Sequence, residues 1–295
     1  MTKSVSVVGT GMLGSAVAQR LVQAGHNVYV YNRTPQKAKN LVSCGCTLTA
    51  SPREAARLSD LVLTLVRDGP AVYDVCFGKE GIVHGCDNNT IIADMSTILP
   101  ADSTRIRHRF EEYGICWLGT PVMGGPDAAV DGQLVAIVDG DEASLDSIRD
   151  VLGTVCSTIH HVGGPGTAHA VKLCMNMQIA SLAVSLSEGI TLARAMKIPP
   201  DTFLKVLNST YFGTGMSKRK AYKMIKSEYN ATFTLENLTK DLGMIRDAAG
   251  LSGVHLEMSD TILDMYTSAV SKGLGGLDYT GILEFVRMKA KPHDD

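Results

Sequence analysis

"VVGTGMLGSAVAQRLVQAGHNVYVYNRT", residues 7–34, decides the fold. The β-branched run from Ser4 leads into Gly9, Gly11 and Gly14, spaced G-x-G-x-x-G. Val17, Leu21 and Val22 then recur at helical spacing until Gly25, and a second β-rich run spans Asn27 to Tyr31. A strand, a glycine turn, a helix opening on that turn and a second strand are what a dinucleotide site needs. Gly9 permits the tight turn, Gly11 lets the backbone approach a pyrophosphate, and Gly14 lets helix and sheet pack closely. The helix start, with Met12 and Leu13 in its first turn, supplies N–H donors to the phosphate. The second strand ends at Asn32, Arg33 and Thr34, where an NAD-selecting site would carry Asp or Glu for the ribose hydroxyls. None stands there. Arg33, flanked by Asn32 and Thr34, suits a 2′-phosphate instead. NADPH is therefore the expected cofactor, with NAD possible, and Leu65 and Val66 at a later strand end should line it.

The alternation continues outward. "RTPQKAKNLVSCG" and "SPREAARLS" each open on a hydroxyl residue followed by proline, Thr34-Pro35 and Ser51-Pro52, a helix-start pattern. "DLVLTLV", "TIIADMS", "CWLGTPV" and "LVAIVDG" read as further strands. Strands alternating with helices imply a doubly wound parallel sheet covered on both faces. After Gly166 the strands stop. Residues 167–196 read as one long helix, and 201–208, 215–227, 235–250, 259–271 and the segment "GGLDYTGILEFVRMK" are helical by spacing. The domains expected are 1–163, Rossmann-type, and 164–295, all-helical, with "KPHDD" a frayed tail.

Bulk composition narrows the function. Lys plus Arg number 28 against 30 Asp plus Glu, a net charge of −2 that argues against a nucleic-acid footprint or an anionic-membrane patch. Seven scattered cysteines, with no C-x-x-C, read as reduced thiols of a cytoplasmic protein. "KSVSVVG" at the start is a strand, not a signal peptide. His160 and His161 are adjacent in an extended segment and face opposite ways. Nothing matches metal-ligand spacing, so no metal is expected.

"AVKLCMNMQIASLAVSLS", residues 170–187, carries one charged side chain, Lys172. A buried ammonium is costly unless it finds a partner or gives up its proton. Two readings follow: a structural pairing with a remote carboxylate, or a group that moves a proton. Asn176, four residues on, projects from the same helix face and could hydrogen-bond the same oxygen or orient the amine. His169, three residues before Lys172, could line the same cleft.

Five segments together resemble the β-hydroxyacid dehydrogenase family: residues 7–34, "DMST" (94–97), "GTPVMGGPDAAVDGQL" (119–134), "GGPGTAHAVKLCMN" (163–176) and "FTLENLTKDL" (233–242). The group holds 3-hydroxyisobutyrate dehydrogenases and glyoxylate/succinic semialdehyde reductases, and is related to 6-phosphogluconate dehydrogenase. The resemblance implies a Rossmann domain, a long interdomain helix and an all-helical domain, assembled as dimers or tetramers. It implies that Lys172 is the general acid/base and Asn176 positions the substrate. Ser96 and Thr97 would lie near nicotinamide and substrate, the amides of Gly124 and Gly125 would receive the substrate carboxylate, and Lys240 would lie near the cofactor. Asp278, in "GLDYTG", reads as structural.

One position departs from the resemblance. The family usually has serine where this chain has Met123, so an apolar thioether replaces a carboxylate-holding hydroxyl. The activity implied is reversible reduction of a small aldehyde or keto acid. Imine reductases resemble the cofactor half but generally lack a lysine at the position of Lys172. A silent dinucleotide-binding scaffold is the third alternative.

Overall fold

The computed structural model describes residues 3–290. The chain divides into two compact units, Met1–Lys172 and Leu173–Asp295. The first runs β1 (Ser4–Val8), α1 (Met12–Gln23), β2 (Asn27–Tyr31), α2 (Lys39–Val42), β3 (Thr47–Leu48), α3 (Pro52–Arg57), β4 (Leu61–Thr64) and α4 (Gly69–Phe77). It continues with β5 (Ile91–Asp94), α5 (Pro100–Glu111), β6 (Cys116–Gly119), β7 (Val122–Met123), α6 (Pro126–Val130), β8 (Leu134–Val138), α7 (Glu142–Val155) and β9 (Cys156–His161). Helix α8 (Thr167–Ala195) starts in the first unit and ends in the second. The remainder holds α9 (Pro200–Asn208), α10 (Gly215–Arg219), α11 (Ala221–Ile225), α12 (Leu235–Leu251), α13 (Glu257–Ala269) and α14 (Ile282–Lys289).

Six strands form one parallel sheet in the order β3-β2-β1-β4-β5-β6. Its middle strands are buried on both faces, which explains the unbroken "LVLT" of β4. On one face Val17, Leu21, Ile148 and Leu152 join the core; on the other Val72, Cys76, Ile106 and Phe110 do. Each fully buried leucine or valine there contributes about 1.5–3 kcal/mol.

The readings of two strands need correction. "CWLGTPV" is not one strand, and "LVAIVDG" does not extend the parallel sheet. β7, β8 and β9 form a separate three-stranded sheet, with β7 antiparallel to β8 and β9 parallel to it. Pro121 has no N–H to donate, and the chain breaks there between β6 and β7. The helix expected after Thr34 is a 3-10 turn (Pro35–Ala38) and the single turn α2, and the Thr34 side chain caps nothing. Ser51 does cap, accepting from the Glu54 amide at 3.1 Å.

In the second unit α8 buries Leu173, Asn176, Ala180, Ala183, Ser187 and Ile190, a stripe at three- and four-residue steps. The helix is long and apolar enough to cross a membrane by length and composition, but this stripe is that of a core helix. Segment 215–227 splits into α10 and α11, joined at Lys220. The Lys220 ammonium reaches the Asp278 carboxylate at 2.6 Å and the Thr232 hydroxyl at 2.9 Å, which fixes that corner. All seven cysteines are free. The terminal "KPHDD" lies outside the described residues.

Candidate active site

The glycine turn is built by close approach. Gly9 has φ +104°, donates its N–H to the Tyr31 carbonyl at 2.8 Å, and would place a Cβ 2.3 Å from the Leu65 carbonyl oxygen. A Cβ on Gly14 would lie 2.0 Å from the Gly9 carbonyl oxygen, whereas one on Gly11 would meet nothing within 4 Å. That open side is where a ligand can reach the backbone. Asn32 ties the turn to the end of β2: its Oδ1 accepts from the Thr10 amide at 3.2 Å and its Nδ2 donates to the Thr34 carbonyl at 2.9 Å.

A cavity of about 410 Å³ opens above this turn, lined by Gly9, Thr10, Gly11, Asn32, Arg33, Thr34, Lys37, Leu65 and Val66 among others. The buried Thr10 hydroxyl has no protein partner. An orphaned hydroxyl, an open glycine face, a helix start capped by no side chain, and the Arg33 and Lys37 cations fit a dinucleotide with its phosphates. The Met12 and Leu13 side chains do not line the cavity: Met12 is exposed and Leu13 packs on the core. Whatever these two residues offer a ligand comes from their backbone. Lys37 went unnoticed in the sequence, although it lies four residues after Arg33.

Lys172 is half-buried, not fully dry. Its Nζ donates to the Val122 carbonyl at 2.7 Å and lies 3.4 Å from the Met123 sulfur. The lysine and the methionine that departs from the family pattern are therefore in contact. Gly124 follows at φ +116°, with a Cβ position only 2.7 Å from Leu134, so a side chain there would clash. Gly125 precedes α6.

Ser96 and Thr97 follow β5. Thr97 is half-buried. Ser96 is buried, and its hydroxyl accepts from the Val66 amide at 3.0 Å and lies 3.4 Å from the Thr64 carbonyl. It thus holds the end of β4, which borders the cavity.

Sequence reasoning passed over Asp94 of the same segment. This buried carboxylate accepts from the Thr64 hydroxyl at 2.6 Å, from the Ser96 amide at 3.2 Å and from His169 Nε2 at 3.2 Å. His169 is consequently fully buried and does not line a cleft. Asp139 accepts from the Ala168 amide at 2.9 Å and the Gly119 amide at 3.2 Å. Burial pushes the Asp139 carboxyl above its ordinary value, against the opposing pull of those amides and of His169. His160 and His161 are exposed, and among the described residues no cluster of three or more His, Cys, Asp or Glu could hold a metal.

In the second unit Asn176 is buried and its Nδ2 donates to Asp241 Oδ2 at 2.7 Å, while its Oδ1 has no protein partner. Lys240 reaches Asp241 Oδ1 at 2.9 Å. Asp241 was the missed residue here, with adjacency to Lys240 in "TKDL" as its signal.

Residues 4–163 match the NAD binding domain of 6-phosphogluconate dehydrogenase, and residues 166–286 the NAD-binding domain of NADP-dependent 3-hydroxyisobutyrate dehydrogenase. Glyoxylate/succinic semialdehyde reductase 2, chloroplastic, of Arabidopsis thaliana is 30% identical over 286 residues, covering 97% of this chain and 80% of that protein. The 3-sulfolactaldehyde reductase of Escherichia coli is 28% identical over 288 residues, covering 97% of both. The crystal structure of a 3-hydroxyisobutyrate dehydrogenase from Salmonella typhimurium superposes with a TM-score of 0.87 at 26% identity, covering 96% of this chain and 99% of that one.

Proposed function

Because the chain belongs to the β-hydroxyacid dehydrogenase family of oxidoreductases, we propose that it reduces a small aldehyde acid with NADPH and oxidises the matching β-hydroxyacid in reverse. When bound, the nicotinamide supplies or accepts a hydride at the carbonyl carbon. The Lys172 ammonium gives a proton to the carbonyl oxygen as the C=O π pair moves onto it, and takes the proton back in the oxidation. Asn176, one helical turn on, orients that oxygen, and Asp241 orients Asn176. Thr97 and the amides of Gly124 and Gly125 receive the substrate's acid group. Ser96 holds the end of β4 beside the cofactor cavity, and Lys240 is a cofactor residue. Holding the two reacting carbons together supplies much of the rate.

The observation that carries this reading is the Lys172 ammonium held by its tether to Val122, in a chain whose glycine turn fits a dinucleotide. Arg33 and Lys37 beside the cavity support NADPH over NADH. Large apolar side chains left exposed on the helical unit, among them Leu192, Val206, Phe212 and Met258, support a homodimer or homotetramer. The seven free thiols support a cytoplasmic setting.

The test is a panel of glyoxylate, succinic semialdehyde, methylmalonate semialdehyde, tartronate semialdehyde and 3-sulfolactaldehyde, each with NADPH and with NADH, followed at the nicotinamide absorbance. Turnover of at least one, faster with NADPH, is expected. Oxidation of neither cofactor by any of them contradicts the proposal.

A further inference from the structure

The first turn of α8 is held by an unusual set of buried groups. Asp94 ends β5, Asp139 follows β8, and both are almost wholly buried together with His169. Burying two carboxylates and an imidazole weakens a fold unless each is paired, and an apolar filling would stabilise it as well or better. The pairing here is specific. Asp94 takes one N–H from His169 and two further donors from Thr64 and Ser96. Asp139 accepts the Ala168 amide and the Gly119 amide, one with each oxygen. Gly119 has no room for a side chain: a Cβ would lie 2.9 Å from His169 Cε1 and 2.7 Å from Asp139 Oδ1. The imidazole therefore packs against bare backbone.

Ala168 and His169 are consecutive, so these contacts fix both the rotation and the axial position of the helix start. Lys172 is three residues beyond His169, on the same helix face and about 4.5 Å further along the axis. We propose that His169, anchored on Asp94 beside Asp139, is a positioning residue that sets where the Lys172 ammonium sits. This rests on Lys172 being the proton-transferring group. His169 itself touches neither substrate nor cofactor. It donates Nε2–H to Asp94 and leaves Nδ1 without a protein partner, so one donor is the function to preserve.

The experiment compares the wild type with His169→Leu, His169→Gln, Asp94→Asn and Lys172→Ala, measuring kcat, KM for the best aldehyde acid of the panel, NADPH affinity and thermal melting. His169→Leu removes the donor at similar bulk, whereas His169→Gln restores an N–H at similar reach. A misplacement near 1 Å lowers the rate by about a hundredfold. His169→Leu should lose kcat on that scale with KM and NADPH affinity little changed, and His169→Gln should recover most of it. Should His169→Leu fail to fold, Asp94→Asn, which keeps the shape but weakens the acceptor for His169, is read for the same drop in kcat. Wild-type kcat in the variant that folds, or a His169→Gln as slow as His169→Leu, overturns the inference while an inactive Lys172→Ala leaves the Lys172 reading standing. Wild-type turnover by Lys172→Ala removes the reading itself.

Discussion

Two helices begin beside strand ends of the first unit, and they are finished in opposite ways. Helix α1 starts after Gly11, which brings no side chain, beneath a cavity with an orphaned Thr10 hydroxyl. Helix α8 starts with its Ala168 amide already taken by the buried Asp139 carboxylate, and with His169 locked to Asp94. Both starts carry the same partial positive charge. One leaves it for a ligand, the other neutralises it internally. On the function proposed above, α1 is a place to bind and α8 a place to hold Lys172 still.

The glycines give the largest expected effect. Gly14→Ala drives a Cβ into the Gly9 carbonyl, so about 2–4 kcal/mol of stability should be lost, read by denaturant unfolding. Gly11→Ala meets open space at φ −68°, and unfolding should change by less than about 0.5 kcal/mol. Titration with NADPH should nonetheless show weaker binding, because a methyl group on that open face would hold a phosphate off the backbone. Equal loss of stability in both variants would break the contrast.

At α8 the matching change is Asp139→Asn. The two amides donate to different oxygens of Asp139, and asparagine turns an NH2 donor toward one of them, so unfolding should show a loss of about 1–3 kcal/mol with NADPH affinity unchanged. At α1, Arg33→Ala should weaken NADPH binding by about tenfold or more and leave NADH binding nearly unaltered, measured by fluorescence titration. An equal effect on both cofactors would remove the 2′-phosphate from the account.

A third helix start extends the comparison. Asp278 opens the 3-10 turn Tyr279–Gly281 and accepts from the Thr280 amide. Burial pushes its carboxyl up, but Lys220 and the neighbouring hydroxyl and amide donors outweigh burial and bring it below the ordinary value of 3.8. As pH falls, the unfolded chain is protonated first. The stability from Asp278 is therefore complete above that ordinary value and disappears as pH drops through the lower folded one. Melting curves should show this small acid-side loss in the wild type, and Asp278→Asn should flatten it.

These starts differ in how far they can be read from sequence. The α1 start is legible because its determinants lie within residues 7–34, where glycine spacing, helical period and strand run agree. The sheet class followed from the same alternation. The separate β7-β8-β9 sheet did not, since strand partnering is non-local and a proline was the sole local sign of the break. Thr34-Pro35 looked like Ser51-Pro52, yet only Ser51 reaches its amide. Lys172 was legible as an anomaly in an apolar run. Its anchor was not, because Asp94 and Asp139 lie 75 and 29 residues from their partners on α8. No pattern along the chain joins residues that meet only after folding.

The central claim is that the Lys172 amine carries the proton. Single-turnover reduction of the best aldehyde acid, with NADPH pre-bound and saturating, tests it most directly in wild type and Lys172→Ala. Hydride transfer should slow by about 10²–10⁴-fold in Lys172→Ala while NADPH affinity stays as in the wild type. Equal rates in the two proteins would contradict the account.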